Sequence, residues 1–182
     1  TSLEALLRFG LRSKDARALE MVDLTLDRMA RGGIHDHVGG GFHRYSVTRD
    51  WLVPHFEKML YDNAQLLGLY AWASLALGKP EHAETARDVA EFVLREMTDP
   101  AGGFYSAQDA DDPGGPEGEG GFYVWTSAEV RALLPAPDAQ IVELWFDVRP
   151  GGNWHEKPGK SILQRMRSAE EVANACGVEP AH

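Results

Sequence analysis

The fold is decided by residues 55–77, which read HFEKMLYDNAQLLGLYAWASLAL. The apolar side chains from Leu66 to Leu77 point in every direction around a helical wheel, and a helix that is apolar all round is typical of a buried position. The polar side chains are confined to the first three turns, about 15 Å of a helix about 35 Å long. The sequence therefore predicts a buried helix over 55–77 whose amino-terminal end carries the chemically active groups.

The segments on either side predict two amphipathic helices. Over 14–31 and again over 80–97, apolar residues recur on one arc of the wheel and charged residues occupy the other. Both helices are therefore expected to bury less surface than 55–77. Gly78 supplies a helix stop and Pro80 a helix start, so 55–77 and 80–97 are predicted to form a tight antiparallel hairpin.

Two long connections, 32–54 and 98–125, are predicted to lie together at the polar end of the buried helix. Three copies of a Gly-Gly-aromatic pattern lie in them, starting at Gly40, Gly102 and Gly120. The first two copies indicate one glycine-rich loop for each helical hairpin. The third follows the second closely, so the second connection is predicted to fold back as a β-hairpin over 109–120.

The remainder of the chain predicts smaller elements. A capping box at 126–129 opens a short helix, a second helix is predicted over 138–146, and Ser168 caps a last helix. Short extended segments are predicted over 147–163. About two helical hairpins with long glycine-rich loops and small β-hairpins predict a mainly α fold, a partial (α/α) toroid. Because six hairpins close such a ring, residues 1–182 are expected to be a fragment of a single toroid domain.

The composition excludes several classes of protein. The chain has 182 residues, of which 43% are hydrophobic and 25% charged, which is typical of a folded domain and not of a disordered or collagen-like chain. Its formal net charge of −10 argues against nucleic acid or an anionic membrane as a partner. Cys176 is the single cysteine, and no segment approaches the roughly 20 apolar residues of a membrane helix. We therefore expect a cytoplasmic protein.

Histidines concentrate at the predicted polar end. Four of the seven lie within 35–55, namely His35, His37, His43 and His55. On the predicted helix, His55 shares a face with Lys58 and Asp62, whereas Glu57 points away. A histidine at the positive end of a helix dipole favours its neutral form and can act as a base. The alternatives are histidines that bond loop carbonyls and an ordinary Lys58–Asp62 ion pair.

Zinc ligation by the four histidines is a further alternative, but their spacing matches no compact metal motif, so no metal site is predicted. Asp109 and Asp111 lie on the second connection, which faces the same end of the helix. Paired carboxylates there suit acid–base chemistry, although an acidic loop is also typical of a solvated surface. The catalytic candidates are His43, His55, Asp62, Asp109 and Asp111.

Aromatic residues accompany these groups. Aromatic faces beside carboxylates and an arginine suit a polyhydroxylated ligand, and the alternative is that they only anchor the loops. The candidates for substrate binding are Arg44, Tyr45, Trp51, Tyr61 and Trp125. The sequence holds no phosphate-binding loop or dinucleotide fingerprint, so no cofactor is predicted.

The loop sequences resemble a known family. They are GIHDHVGGGFHRYS at 33–46, VPHFEKMLYDNA at 53–64, GGFYSAQDAD at 102–111 and GFYVWT at 121–126. In order and spacing they are similar to the thioredoxin-domain proteins related to spermatogenesis-associated protein 20, over nearly the whole chain. The resemblance implies a thioredoxin-like amino-terminal domain, absent from this chain, followed by an (α/α)6 toroid similar to N-acylglucosamine 2-epimerases and six-hairpin glycosidases.

Two functions follow as hypotheses. In the first, the chain belongs to a carbohydrate-active enzyme, epimerase-like or glycosidase-like. There His55 or His43 is the base, Asp62 orients it, and Asp109 or Asp111 supplies the acid. In the second, the toroid binds a small ligand or a protein without catalysis, beside the thioredoxin-like domain. The expected partners are thus a sugar-like molecule and that domain.

Overall fold

The computed structural model describes residues 2–112 and 118–179, and this part of the chain is mainly α-helical, as predicted. The helices are α1 (Ser2–Ser13), α2 (Ala16–Arg31), α3 (Leu60–Leu77), α4 (Pro80–Glu96), α5 (Ser127–Leu133), α6 (Ala136–Trp145) and α7 (Ala169–Cys176). The strands are β1 (Tyr45–Ser46), β2 (Pro54–His55), β3 (Lys58–Met59), β4 (Ala107–Gln108), β5 (Val124–Trp125) and β6 (Ser161–Ile162). No helix within these residues is long and apolar enough to cross a membrane.

Two helical hairpins, α1–α2 and α3–α4, build the main core. The helices predicted over 14–31 and 80–97 are confirmed as α2 and α4. Asp15 caps α2 by accepting the amide of Ala18, and Pro80 is the first residue of α4, where no amide donor is needed. Their buried faces meet α3 in one cluster that includes Val22, Leu26 and Val89.

Helix α1 is absent from the sequence-based prediction. Its buried side is narrow, because only Leu7 and Gly10 are buried, and exposed Phe9 blurs the period of its apolar residues. Gly10 allows a close approach of α2, since a Cβ there would lie 2.7 Å from Cδ2 of Leu19. The packing of α1 thus depends on the absence of a side chain at Gly10, and hydrophobic periodicity does not detect such a position.

Helix α3 begins five residues later than predicted. Residues 55–59 are extended, because β2 pairs with β1 and β3 pairs with β4, which uses their backbone groups in two antiparallel ladders. The prediction that this helix is the most buried is also wrong, since α2 and α4 bury as many of their side chains. One side of α3 is exposed along an apolar stripe, where Leu75 is 85% exposed.

The two long connections meet at the amino-terminal end of α3, as predicted. The β3–β4 ladder places Met59 opposite Ala107 and thereby joins the start of α3 to the second connection. The predicted β-hairpin over 109–120 is confirmed at its stem, where Asp111 bridges Glu119 and the amide of Gly120 donates to the carbonyl of Ala110. Its tip, 113–117, lies outside the described residues.

The first two Gly-Gly-aromatic copies form similar turns. In the first, the amide of Asp36 donates to the carbonyl of Gly41, and in the second the amide of Asp99 donates to that of Gly103. In each copy the aspartate side chain also accepts an amide from the turn that it opens. The repeat in the sequence is therefore a repeat in structure.

Gly41→Ala is expected to cost about 1–2 kcal/mol more unfolding free energy than Gly78→Ala. Both glycines have positive φ, at 75° and 68°, so each substitution imposes a left-handed alanine at about 1–2 kcal/mol. A Cβ at Gly41 would also lie 2.4 Å from the buried Phe92 ring, whereas a Cβ at Gly78 meets nothing within 4 Å. Urea unfolding of the two variants measures the difference, and equal costs would contradict the close packing on Phe92.

The carboxyl-terminal part of the chain packs against the two long connections. The capping boxes at 126–129 and at Ser168 are confirmed at the starts of α5 and α7, and the helix predicted over 138–146 is α6. Of the extended segments predicted over 147–163, the structure describes β6 alone, which pairs with β5. A second core, comprising Phe56, Ala110, Val124, Trp154 and Ile162, joins these elements to the loops.

Candidate functional site

A group of polar and aromatic side chains gathers on an open surface where the chain enters α3. We call it the His55 cluster, and it comprises Arg44, Tyr45, His55, Glu57, Tyr61, Asp62 and Glu119. The β1–β2 ladder places Tyr45 opposite His55, with ring centroids 5.1 Å apart. The hairpin stem that carries Glu119 reaches the same surface, so three separate segments contribute to the cluster.

His55 is held by a carboxylate through one ring nitrogen. Its Nδ1 lies 2.7 Å from Oε1 of Glu119, which also accepts the amide of Phe56 at 3.4 Å. A carboxylate only accepts, so Nδ1 donates the proton, and in the neutral imidazole the lone pair lies on Nε2. Nε2 lies 3.7 Å from Oε2 of Glu57, which is beyond hydrogen-bonding distance. This orientation of an imidazole by a carboxylate suits a general base.

Three predictions about this geometry are wrong. His55 and Lys58 do not share a helical face with Asp62, because both precede α3 in extended segments. Glu119, and not Asp62, orients His55. Glu57 points toward the cluster instead of away from it, since its carboxylate pairs with Nη1 of Arg44 at 3.1 Å.

Asp62 has an unusual environment for a carboxylate in the first turn of a helix. Its Oδ2 is buried and meets no hydrogen-bond donor among the described residues. Burial raises the pKa of Asp62 above its usual range, and Glu57 raises it further, against the opposing effect of Arg44. Tyr61 and Glu57 in turn raise the pKa of Arg44, which stays charged. Asp62 therefore keeps its proton to higher pH than an exposed aspartate and is suited to act as an acid.

The other catalytic candidates lie at varying distances from this cluster. His43 is buried below it, with Nδ1 2.8 Å from the carbonyl of Phe56, and burial lowers the pKa of His43 to about 3. Asp111 lies beside Glu119 in the hairpin stem. Asp109 is exposed and accepts the amide of Asp111.

The two tryptophans proposed for substrate binding are packed elsewhere. Trp51 packs against the helical core and its carbonyl accepts the amide of Ile34. Trp125 packs against the small core between α5 and α6. Of the five aromatic and arginine candidates, the structure thus brings together Arg44, Tyr45 and Tyr61.

Three of the loop histidines bond backbone carbonyls, as the alternative interpretation predicts. His35 bonds the carbonyl of Ala30, His37 that of Gly32 and His43 that of Phe56. Within residues 2–112 and 118–179, no three His, Cys, Asp or Glu side chains are arranged to hold a metal ion.

Sequence analysis missed a buried ion pair beneath the site. Lys58 is 1% exposed, and its Nζ lies 2.7 Å from Oδ2 of Asp36, 2.8 Å from the carbonyl of Gly40 and 4.4 Å from the centroid of the Phe92 ring. Burial lowers the pKa of Lys58. Burial alone would raise the pKa of Asp36, but Lys58 and two turn amides lower it overall. Phe56 and Lys58 are buried on the same side of the chain only because this segment is extended, so the helical prediction for 55–59 concealed the pair.

The sequence of this chain is similar to those of known mammalian proteins. Over 192 aligned positions the chain is 50% identical to spermatogenesis-associated protein 20 of Mus musculus and to that of Homo sapiens, and each alignment takes in 95% of the chain. The chain is related to spermatogenesis-associated protein 20. It spans about a quarter of the length of these relatives, 24% in each case.

The relation extends beyond the mammalian forms of spermatogenesis-associated protein 20. An uncharacterized protein of Caenorhabditis elegans is 36% identical over 181 positions, which take in 89% of the chain. No protein-family model matches the chain. The relation to spermatogenesis-associated protein 20 that the loop sequences predicted is thereby confirmed, and the names of these relatives describe no reaction.

Proposed function

We propose that the His55 cluster is an acid–base site for a polyhydroxylated, sugar-like substrate. The observation that supports this most strongly is the fixed imidazole of His55, with Nδ1 bonded to Glu119 and Nε2 left as a base on an open surface. Asp62, whose pKa is raised by burial, lies on the adjoining turn and is the proposed acid. A base and an acid in one site are the minimum that proton transfer to and from carbon requires.

The reaction best suited to these groups is epimerisation next to a carbonyl. Nε2 of His55 takes the proton from the carbon beside the carbonyl, and the electron pair of the broken C–H bond forms an enediolate. Asp62 then donates its proton to the opposite face of that carbon, which inverts the configuration. Proton exchange with solvent returns His55 to its neutral form and Asp62 to its acid form. Arg44 and Tyr61 offer hydrogen-bond donors to substrate hydroxyls, and the Tyr45 ring offers a face for stacking.

We also propose that these residues are the early part of an (α/α)6 toroid that follows a thioredoxin-like domain. The exposed side of α3 supports this placement. Ala64, Gly68, Ala71 and Leu75 form an apolar stripe on that side, and in a toroid such a face packs against the next hairpin. The His55 cluster would then lie at one wall of the central cleft.

The proposed reaction is tested with the complete protein and a panel of monosaccharides in D2O. Epimerisation places deuterium on the carbon next to the carbonyl, which proton NMR detects, whereas glycoside hydrolysis does not. We expect His55→Gln to lower the exchange rate by about 100-fold or more, because a general base contributes about that much. His155→Gln, at an exposed histidine outside the cluster, is the matched control and should leave the rate unchanged.

A second candidate, binding of the sugar-like ligand without catalysis, is favoured by the openness of the surface, where Tyr45 and Tyr61 are both about half exposed. It predicts no deuterium incorporation with any sugar, together with saturable binding that His55→Gln weakens. Turnover that survives His55→Gln unchanged would contradict the acid–base proposal.

A further inference from the structure

A cavity of about 410 Å³ lies between the first glycine-rich loop and the carboxyl-terminal part of the chain. Among the residues that line it are His35, Asp36, His37, His43, Tyr123 and Trp125. None of the lining residues belongs to the His55 cluster, so the cavity is a separate space. Its volume falls within the range of small-molecule sites.

His43 is the most buried polar side chain on its wall, at 2% exposure. Because Nδ1 donates to the carbonyl of Phe56, Nε2 is left with an unprotonated lone pair. No donor from the described residues bonds this nitrogen. Burial, reinforced by the charge of Lys58, lowers the pKa of His43 to about 3, so Nε2 remains an acceptor at neutral pH.

His37 repeats this arrangement on the same wall. Its Nε2 lies 3.1 Å from the carbonyl of Gly32 and carries the proton, so Nδ1 is an acceptor. Burial and the neighbouring His35 lower the pKa of His37 to about 3. Each of these two lining histidines therefore keeps one ring nitrogen that accepts a hydrogen bond and does not donate one.

The remaining walls are largely aromatic and aliphatic. The Tyr123 ring packs edge-on against His43, with centroids 4.7 Å apart, and Trp125, Ile162 and Leu163 complete this side. The carboxylate of Asp36 is engaged by Lys58 at 2.7 Å and by two turn amides. An ionic ligand would find no free counter-charge there, whereas a flat apolar ring would find aromatic walls.

We propose that this cavity binds a small, uncharged ring molecule that carries hydroxyl groups. Nε2 of His43 accepts one hydroxyl, Nδ1 of His37 is available to a second, and the ring packs against Tyr123 and Trp125. The site does not depend on the function proposed for His55, since the two share no side chain.

The first test uses resorcinol, a dihydroxybenzene, with the complete protein labelled with ¹⁵N in its histidines. Long-range proton–nitrogen spectra report the state of each ring nitrogen. We expect a saturable change at Nε2 of His43, with a Kd of about 1 mM, and no saturable change with 1,3-dimethoxybenzene, which has the same ring and no donor. Equal changes with both compounds, or none with resorcinol, would overturn the proposal.

A second test separates binding from folding. Val38 lines the cavity and is 69% exposed, so Val38→Trp is expected to block the mouth and weaken resorcinol binding at least tenfold. Val47, on the same connection, is 64% exposed and does not line the cavity, so Val47→Trp should bind as the wild type does. Wild-type binding by Val38→Trp, or equal weakening by both variants, would refute the site.

Substitution of His43 itself gives the complementary result. His43→Asn keeps an N–H donor for the carbonyl of Phe56 and removes Nε2, so it should lose resorcinol binding while retaining the fold. If this variant does not fold, the pair of valine variants decides the question.

Discussion

Lys58→Met is expected to lower the free energy of unfolding by about 3–5 kcal/mol, because it leaves the buried carboxylate of Asp36 without its cation. The Lys58 ammonium lies 2.7 Å from that carboxylate and also donates to the carbonyl of Gly40, so both acceptors lose a partner. Methionine fills a similar volume, which limits any contribution from a cavity. Urea unfolding of the variant and the wild type measures the loss.

The double variant Asp36→Asn with Lys58→Met should recover much of this loss. Neither charge is then left alone, and the asparagine oxygen still accepts the amides of Val38 and Gly39. Lys79→Met is the matched control, because Lys79 forms an ion pair with Asp23 at the surface and should contribute less than about 1 kcal/mol. A Lys58→Met cost as small as that of Lys79→Met would show that the buried pair does not hold the loop.

Asn63→Ala is expected to cost about 3–5 kcal/mol, because it leaves several buried backbone groups without partners at about 1–3 kcal/mol each. The Asn63 side chain is fully buried in α3, accepts the amide of Phe42 at 2.7 Å and donates to the carbonyl of Phe42 at 3.0 Å. It also donates to the carbonyl of Met59. This one amide thus bonds the first loop to α3, and thermal unfolding measures its contribution.

Two further variants test whether the lost hydrogen bonds of Asn63 explain the result. Asn63→Asp keeps an acceptor for the amide of Phe42 but loses both donors, so it should also be destabilising. Gln65→Ala is the control on the same helix, since Gln65 is exposed and donates to the carbonyl of Tyr61 one turn earlier. Equal melting temperatures for Asn63→Ala and Gln65→Ala would contradict the role of Asn63.

The helices were the predictable part of the fold, for a physical reason. The amphipathic period of α2 and α4 reflects which of their side chains are buried, and Gly78 and Pro80 indicate where a helix ends and begins. Neighbouring residues therefore suffice to predict these helices. Residues 55–59 differ, because their extended conformation depends on partners elsewhere in the chain, in β1 and β4. A helical pattern that continued through His55 and Lys58 could not reveal those partners.

The candidate site was predictable to a similar extent. Arg44, Tyr45, His55, Tyr61 and Asp62 lie close in sequence, and the structure brings them together. Glu119 was missed because it reaches His55 only when the hairpin over 109–120 folds back onto the first loop. Trp51 and Trp125 lie outside the His55 cluster, because an aromatic residue in a sequence gives no indication of whether its side chain packs inward or outward.

The β3–β4 ladder has a consequence for the order of folding. The ladder joins a segment that precedes the α3–α4 hairpin in the sequence to one that follows it. The entropic cost of closing this loop therefore decreases only after the local hairpin has formed. Helical hairpins form rapidly from contacts between near neighbours, whereas the ladder must wait for its two ends to be brought together. Local unfolding is expected in the reverse order, so the ladder opens before the helical hairpin does. Amide exchange at Leu60, whose amide donates to the carbonyl of Ser106 at the end of this ladder, is therefore coupled to the assembly of the His55 cluster, and the helices can persist while the ladder is open.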